Sequence, residues 1–330
     1  MPDTIRVGLY GTNGHQLPFQ LPEQARVVAV SDYAREVPKE TRVYDDLNTM
    51  LGDPDIDLVS LCSARRADQA QQAIQCLKAG KHVLAEKPCA FDAHTLDQII
   101  TTARQVGREF REMAASNSDL KLPIQAIRRL VDDGTLGTIV HVQAHKSYPW
   151  HDRRPQDINI DGGLVRQVGI HAVRLIHGGT GLRIKRVVGS STGLGNPARG
   201  GQKGIQMAAT FSVELENGGV GTINLNYLNP ANFGIWGNDQ LRVFGTKGMA
   251  ETVDGFRRHS LYLPGRDEFD LPFPEDLASP VYLEHYANYL LNGAPMPTAF
   301  EDEMAMTRAM LAIHDAAMTG EWIEVPYPDR

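Results

Sequence analysis

The chain has 330 residues, 42% of them hydrophobic, which is enough for the cores of roughly two domains without a metal or disulfide staple. Its formal charge of -7 gives no cationic footprint for a nucleic-acid backbone, and no run reaches the roughly 18 apolar residues of a membrane span. The N-terminus lacks a secretory leader pattern, so a cytoplasmic protein with neither nucleic-acid nor membrane partners is expected, its Cys62, Cys76 and Cys89 reduced thiols without CxxC spacing.

In chain order, short apolar runs rich in β-branched residues alternate with helical patterns, as in a parallel sheet with crossover helices. The expected strands are Ile5 to Tyr10, Arg26 to Ser31, Leu58 to Cys62, His82 to Ala85 and Phe110 to Ala114. Ala67 to Ala79, His94 to Val106 and Lys121 to Asp133 carry apolar residues at helical spacing. Past Gly134 the rhythm changes to longer alternating strands: Thr138 to Ser147, Arg183 to Ser190, Ile205 to Glu214, Val220 to Leu228, Gln240 to Phe244 and Ser260 to Leu263. A helix from Gly163 to His177 interrupts them, Glu216-Asn217-Gly218-Gly219 marks a hairpin, and helices near Tyr282 to Leu291 and Glu301 to Met318 close the chain. The expectation is a Rossmann doubly wound parallel sheet over residues 1–120 and an α+β domain over 121–330, its mostly antiparallel, open-faced sheet flanked by helices on one side. Ile205, Met207, Ala209 and Phe211 are expected on that sheet's open face, as an apolar surface for a homodimer or homotetramer.

The first strand leads into Gly11-Thr12-Asn13-Gly14, where a Rossmann fold places its phosphate-binding turn. Only Gly11 fits GxGxxG cleanly: Asn13 and Gln16 take the second and third glycine positions, and Pro18 and Pro22 leave room only for a short helix. Asn tolerates left-handed backbone, so such a turn can still present amides to a pyrophosphate. Asp32 ends the second strand where a carboxylate accepts from ribose hydroxyls and repels a 2'-phosphate, favouring NAD, while nearby Arg35 keeps NADP open.

Ala79-Gly80-Lys81-His82-Val83-Leu84-Ala85-Glu86-Lys87-Pro88 resembles the aGkhVl-EKP signature of the Gfo/Idh/MocA family of oxidoreductases. The resemblance implies that Glu86 and Lys87 lie at a nicotinamide site, with Lys87 catalytic and a cis bond often preceding the proline. Asp161 to His171 is similar to the family's GGGxLxDxGxH element, which makes His171 the second catalytic or substrate-binding residue. Gln167 stands where many members have Asp; one helical turn before His171, it meets the same substrate without charge. Arg174 replaces another frequent Asp and adds positive charge suited to a carboxylated substrate. The family's TPNxxH is Ser63-Ala64-Arg65-Arg66-Ala67-Asp68 here, leaving Ser63 as the residue expected near the dinucleotide. Trp150 and Arg153, with Tyr148 and His151, are candidate substrate-pocket residues. Pro123 to Gly137 and the Gly-Thr-x-Gly hairpin of Gly237 to Gly248 extend the likeness over most of the chain. Gln167 to Gly179 together with Gly195 to Arg199 is similar to dihydrodiol dehydrogenases of the same family.

These features imply oxidation of a secondary alcohol on a sugar, cyclitol or dihydrodiol, or reduction of the ketone, with Lys87 and His171 exchanging protons. A nicotinamide-binding sensor without chemistry and an NAD-dependent glycosidase remain as alternatives on the same fold. His141 and His145 share a strand face, but no carboxylate at matching spacing completes a ligand set, so no metal is expected.

Overall fold

The computed structural model describes residues 4–113, 118–151, 154–197, 205–266 and 269–327; Ala114, Arg153, Ala198 and Arg199 lie outside them. The chain divides into two compact units, Met1–Ala115 with Asn159–Gly162 and Val281–Glu303, and Ser116–Ile158 with Gly163–Pro280 and Met304–Arg330.

The first unit is built on β1 (Ile5–Tyr10), β2 (Ala25–Ser31), β3 (Arg42–Tyr44), β4 (Leu58–Leu61), β5 (His82–Glu86) and β6 (Phe110–Met113). They form one sheet in the order β3-β2-β1-β4-β5-β6, and each adjacent pair is parallel. β4 is buried throughout and β5 beyond His82, as expected of strands covered on both faces. The order reverses beside β1, which places a ligand crevice at the carboxyl ends of β1 and β4. α1 (Leu47–Leu51), α2 (Gln69–Lys78) and α3 (Ala93–Val106) are the helices of the crossovers. α3 is stopped at both ends: the Asp92 side chain accepts from Thr95 N at 2.7 Å, and Gly107 takes a left-handed φ of 63°. α1 and β3 escaped the sequence reading because neither is long enough to show a period.

One expectation fails here. No helix of any length lies between β1 and β2. Pro18 and Pro22 remove N–H donors, and Gln16 is 6% exposed with its side chain tied to the backbone. Its Nε2 donates to the carbonyls of Tyr10, Gly11 and Ser60, and its Oε1 accepts from Leu17 N and Ser60 Oγ. The residue at the third glycine position therefore anchors a loop.

The second unit carries α4 (Leu122–Asp132), β7 (Ile139–Pro149), α6 (Gly163–Thr180), β8 (Ile184–Thr192), β9 (Ala208–Leu215), β10 (Val220–Asn229), β11 (Asn238–Gly245), β12 (Met249–Val253), β13 (Arg258–Tyr262) and β14 (Ile323–Glu324). A short α5 (Ile158–Asp161) precedes α6, while α7 (Tyr282–Asn292) and α8 (Phe300–Thr319) come late in the chain. The eight strands run in the order β13-β12-β11-β7-β10-β9-β8-β14, antiparallel except where β10 pairs with β7.

α6 packs on β7, β10 and β11, and this decides which face of the sheet is buried. Ile205, Met207, Ala209 and Phe211 are all buried, so the open apolar surface expected of them does not exist. Successive strand residues point to opposite faces. The other face of β9 presents exposed Thr210 and Ser212 and half-buried Glu214, whose carboxylate pairs with Arg186 at 2.6 Å and Lys185 at 3.1 Å.

Candidate active site

In the first unit the site grows from the carboxyl end of β1. Gly11 has φ +71°, and a Cβ there would meet Cys62 O at 2.1 Å, so only glycine fits the turn. Gly11 N donates to Ser31 O, and Asn13 N to Cys62 O, tying the turn to the ends of β2 and β4. The Asn13 side chain donates to Ala64 O at 3.1 Å and Ile160 O at 2.7 Å, and Thr12 O accepts from Arg35 at 3.4 Å. Gly14 has φ +97°, and a Cβ on it would lie 3.0 Å from both Arg66 Nη2 and Glu86 Cγ. The turn thus rests on a buried cation and a buried carboxylate.

Arg66 was not among the sequence candidates. It is 2% exposed, its Nη2 donates to Asn13 O at 2.7 Å and its Nη1 to Gln69 Oε1 at 2.6 Å. No carboxylate of the described residues lies within ion-pair distance of it. The only signal in the sequence was the departure from TPNxxH that placed two arginines there. Glu86 is 1% exposed; its Oε1 is 3.1 Å from His15 Nδ1, while its Oε2 is buried with no hydrogen-bond partner among the described residues. Such an oxygen calls for a donor such as a ribose hydroxyl, and the buried Arg66 charge beneath the turn suits a diphosphate. The residues present therefore fit a dinucleotide.

Asp32 follows β2, exposed, at φ 48°, a left-handed conformation that Asp adopts more readily than most residues. Ser63 is 1% exposed, its N accepts nothing but donates to Gln69 Oε1, and its hydroxyl donates to Gln72, so its side chain serves the fold of the loop. Lys87 is 3% exposed at the end of β5, its N donates to Met113 O at 3.1 Å, and the Lys87-Pro88 bond is cis. Burial pushes the Cys62 thiol far up, which removes it as a nucleophile beneath the turn.

In the second unit Gly163, at φ +68° with a Cβ position 3.1 Å from Ile158 Cγ2, starts α6. Gln167 and His171 lie one turn apart on that helix. His171 is fully buried; its Nδ1 is 3.2 Å from Ser118 Oγ, and the Tyr148 ring meets it edge-on at 6.4 Å. Gln167 Oε1 accepts from Tyr227 Oη at 2.7 Å and Arg154 Nη1 at 3.3 Å. Because a guanidinium only donates, this fixes which way the Gln167 amide faces. Arg154 itself lies with its guanidinium carbon 3.5 Å from the Tyr227 ring centroid. Trp150 is half-buried and its indole N–H finds no acceptor among the described residues. His151 stacks on Trp236 at 6.0 Å, and Trp236 also neighbours Tyr148. Lys146 and Asp239 form a buried pair under Tyr148; burial pulls the Lys146 ammonium down and pushes the Asp239 carboxyl up, each opposed by the other's charge.

Arg174 must be corrected. It is 0% exposed and paired with buried Asp119 at 3.2 Å, so its charge is spent inside the unit and does not reach a substrate. Sequence spacing gave its turn on the helix, but position 119 lies far off in the chain. Among the described residues no group of three or more His, Cys, Asp and Glu gathers as metal ligands, and no helix is long and apolar enough to cross a membrane.

The comparisons agree with this architecture. Residues 5–112 match the oxidoreductase family with an NAD-binding Rossmann fold, and residues 124–251 match the GFO/IDH/MocA C-terminal domain. The chain is 28% identical to the oxidoreductase YrbE of Bacillus subtilis over 63% of its length, and it spans 58% of that relative. It is 23% identical to the myo-inositol 2-dehydrogenase of Thermotoga maritima, over 74% of each chain. Identity to the bovine trans-1,2-dihydrobenzene-1,2-diol dehydrogenase is 26%, over 76% of this chain and 73% of the relative. The crystal structure of an oxidoreductase domain protein from Kribbella flavida has the same fold, with a TM-score of 0.78 at 21% identity, covering 98% of this chain and all of the other. With both domain families matched in order along it, the chain belongs to the GFO/IDH/MocA family.

Proposed function

We propose that the chain is a cytoplasmic NAD-dependent dehydrogenase that oxidises a secondary alcohol of a sugar, cyclitol or dihydrodiol, or reduces the ketone. Residues 1–120 hold the nucleotide and 121–330 the substrate. The observation that carries this reading is a buried lysine, Lys87, at the carboxyl end of β5, next to a buried carboxylate oxygen that awaits a donor. The names of the relatives, an inositol dehydrogenase and a dihydrodiol dehydrogenase, support the substrate class.

When bound, the nicotinamide would supply the hydride acceptor or donor. The amides of Thr12 and Gly14 would hold the diphosphate, Asn13 N being tied to Cys62 O to shape the turn, and the Arg66 charge beneath would replace the field of the absent helix. Glu86 Oε2 and the Asp32 carboxylate would accept from ribose hydroxyls, and Asp32 would disfavour a 2'-phosphate. Lys87 Nζ takes the proton of the substrate hydroxyl in oxidation and returns it in reduction. His171, its ring oriented through Nδ1 by Ser118, donates to or accepts from the same substrate, while Gln167, Trp150 and Arg153 position it. Gln167 brings no charge, so the substrate half lacks one anion found in many relatives. A homodimer or homotetramer is proposed through the polar open face of the second sheet; light scattering reporting only a 36.4 kDa monomer would count against it.

The test is in two parts. NADH stabilises the fold against heat more than NADPH does, by linkage of binding to unfolding. On a panel of polyols, aldonates, cyclitols and dihydrodiols, Lys87→Met and His171→Ala lower kcat about a hundredfold or more while NADH stabilisation persists. Stabilisation by NADH without turnover of any panel member points instead to a nicotinamide sensor, the reading that the missing phosphate-turn helix favours.

A further inference from the structure

Three buried cations in this protein are matched with acids. Arg174 is paired with Asp119, Arg111 with Glu303 at 3.2 Å, and Lys146 with Asp239. Arg154 differs, as Arg66 does: it is 7% exposed, and no carboxylate of the described residues pairs with it. Among the described residues its guanidinium makes only long hydrogen bonds, 3.3 Å to Gln167 Oε1 and 3.5 Å to Pro149 O, with the Tyr227 ring centroid 3.5 Å from its carbon. Its Nε, also buried, has no hydrogen-bond partner among the described residues. A guanidinium taken out of water costs free energy unless an anion or a full set of acceptors meets it, and a ring face offsets only part of that cost.

The surroundings are short of acceptors. Gln167 turns its oxygen to Arg154 and Tyr227, where a carboxylate would have neutralised the cation, and Trp150 adds an indole N–H with no acceptor among the described residues. Held against the Tyr227 ring, the guanidinium fork is pre-set for two parallel bonds to a planar oxyanion. Through Gln167 it sits one helical turn from His171.

We infer that Arg154 is the binding site for a carboxylate on the substrate, so the alcohol is part of a hydroxy acid such as an aldonate, a carboxylated cyclitol or a dihydrodiol carboxylate. This rests on the dehydrogenase reading above. It also moves the anion preference from Arg174, which is spent on Asp119, to a residue the sequence did not single out.

The experiment compares acids with neutral partners of the same skeleton: gluconate with glucose, quinate with myo-inositol, and a benzoate dihydrodiol with benzene dihydrodiol, each followed by NAD reduction. Wild type favours the acid in at least one pair, and in Arg154→Met the acid-to-neutral ratio of kcat/KM falls about a hundredfold, chiefly through KM, as for loss of a buried charge partner. Arg154→Lys recovers part of it. Equal losses on acid and neutral partner, or no preference for acid in any pair, overturn the inference. If no member of the panel turns over, melting of the NADH-saturated protein is followed with millimolar gluconate, quinate or benzoate. A rise that Arg154→Met abolishes supports the site, and no rise with any of the acids overturns it. Failure of NADH itself to stabilise the fold overturns the dehydrogenase reading instead, so the two failures are distinguishable.

Discussion

Two glycine-rich turns, one in each unit, are built differently. The turn at Gly11 to Gly14 leads into a loop pinned by Gln16, whereas the turn at Gly162 and Gly163 opens a helix of 18 residues. Each unit also holds a buried arginine. Arg66, under the first turn, meets backbone and amide oxygens but no carboxylate of the described residues, while Arg174, about three turns along the helix that follows the second, is matched with Asp119. A cation without a counter-charge is available to a ligand; a cation paired in the interior supports the fold.

The largest expected effect tests the second arginine. Arg174→Met takes the cation from buried Asp119 and should cost about 3–5 kcal/mol of stability, read as a lower urea midpoint. A variant of full stability with a raised KM would return Arg174 to the substrate and break the comparison.

A second effect lies at the far end of the strand that carries Lys87. His82 has its pKa pulled down to about 4, first by burial and then by the Arg108 charge. Between about 6.5 and about 4 the unfolded chain binds a proton there that the folded chain does not, so stability falls with pH across that window. The loss should approach, at most, about 3 kcal/mol, and His82→Gln should flatten the melting profile over the same range. An unchanged profile in the variant would assign the acid loss to another group.

Smaller, and aimed at the first arginine, is Arg66→Met. NADH affinity should fall about tenfold, with Arg66→Lys intermediate, because one partly screened charge beside a diphosphate is removed. Unaltered NADH affinity would leave the turn's amides as the whole of the phosphate site. The smallest effect is Asp32→Ala, which should narrow the preference for NADH over NADPH a few-fold, measured by the difference in melting shift, since an exposed carboxylate acts through water.

Where periodicity runs long, the sequence read this protein well. β1, β4 and β5 showed as apolar runs, and α3 and α6 by helical spacing, because burial on one or both faces imposes those patterns directly. Glu86, Lys87, Gln167 and His171 were legible as members of motifs whose glycines and proline have local backbone causes. What the sequence could not decide was which partner each polar residue would meet. Asp119 reaches Arg174 across 55 positions, Arg66 reaches Asn13 across 53, and Gln16 reaches Ser60 across 44. The same holds for the face of the second sheet: alternation in Ile205 to Phe211 told that one face is apolar, but only the packing of α6 made it the inner one. Local sequence sets backbone conformation and periodicity, whereas the sign and availability of a buried charge depend on contacts between residues distant in the chain, and those exist only once the fold has brought them together.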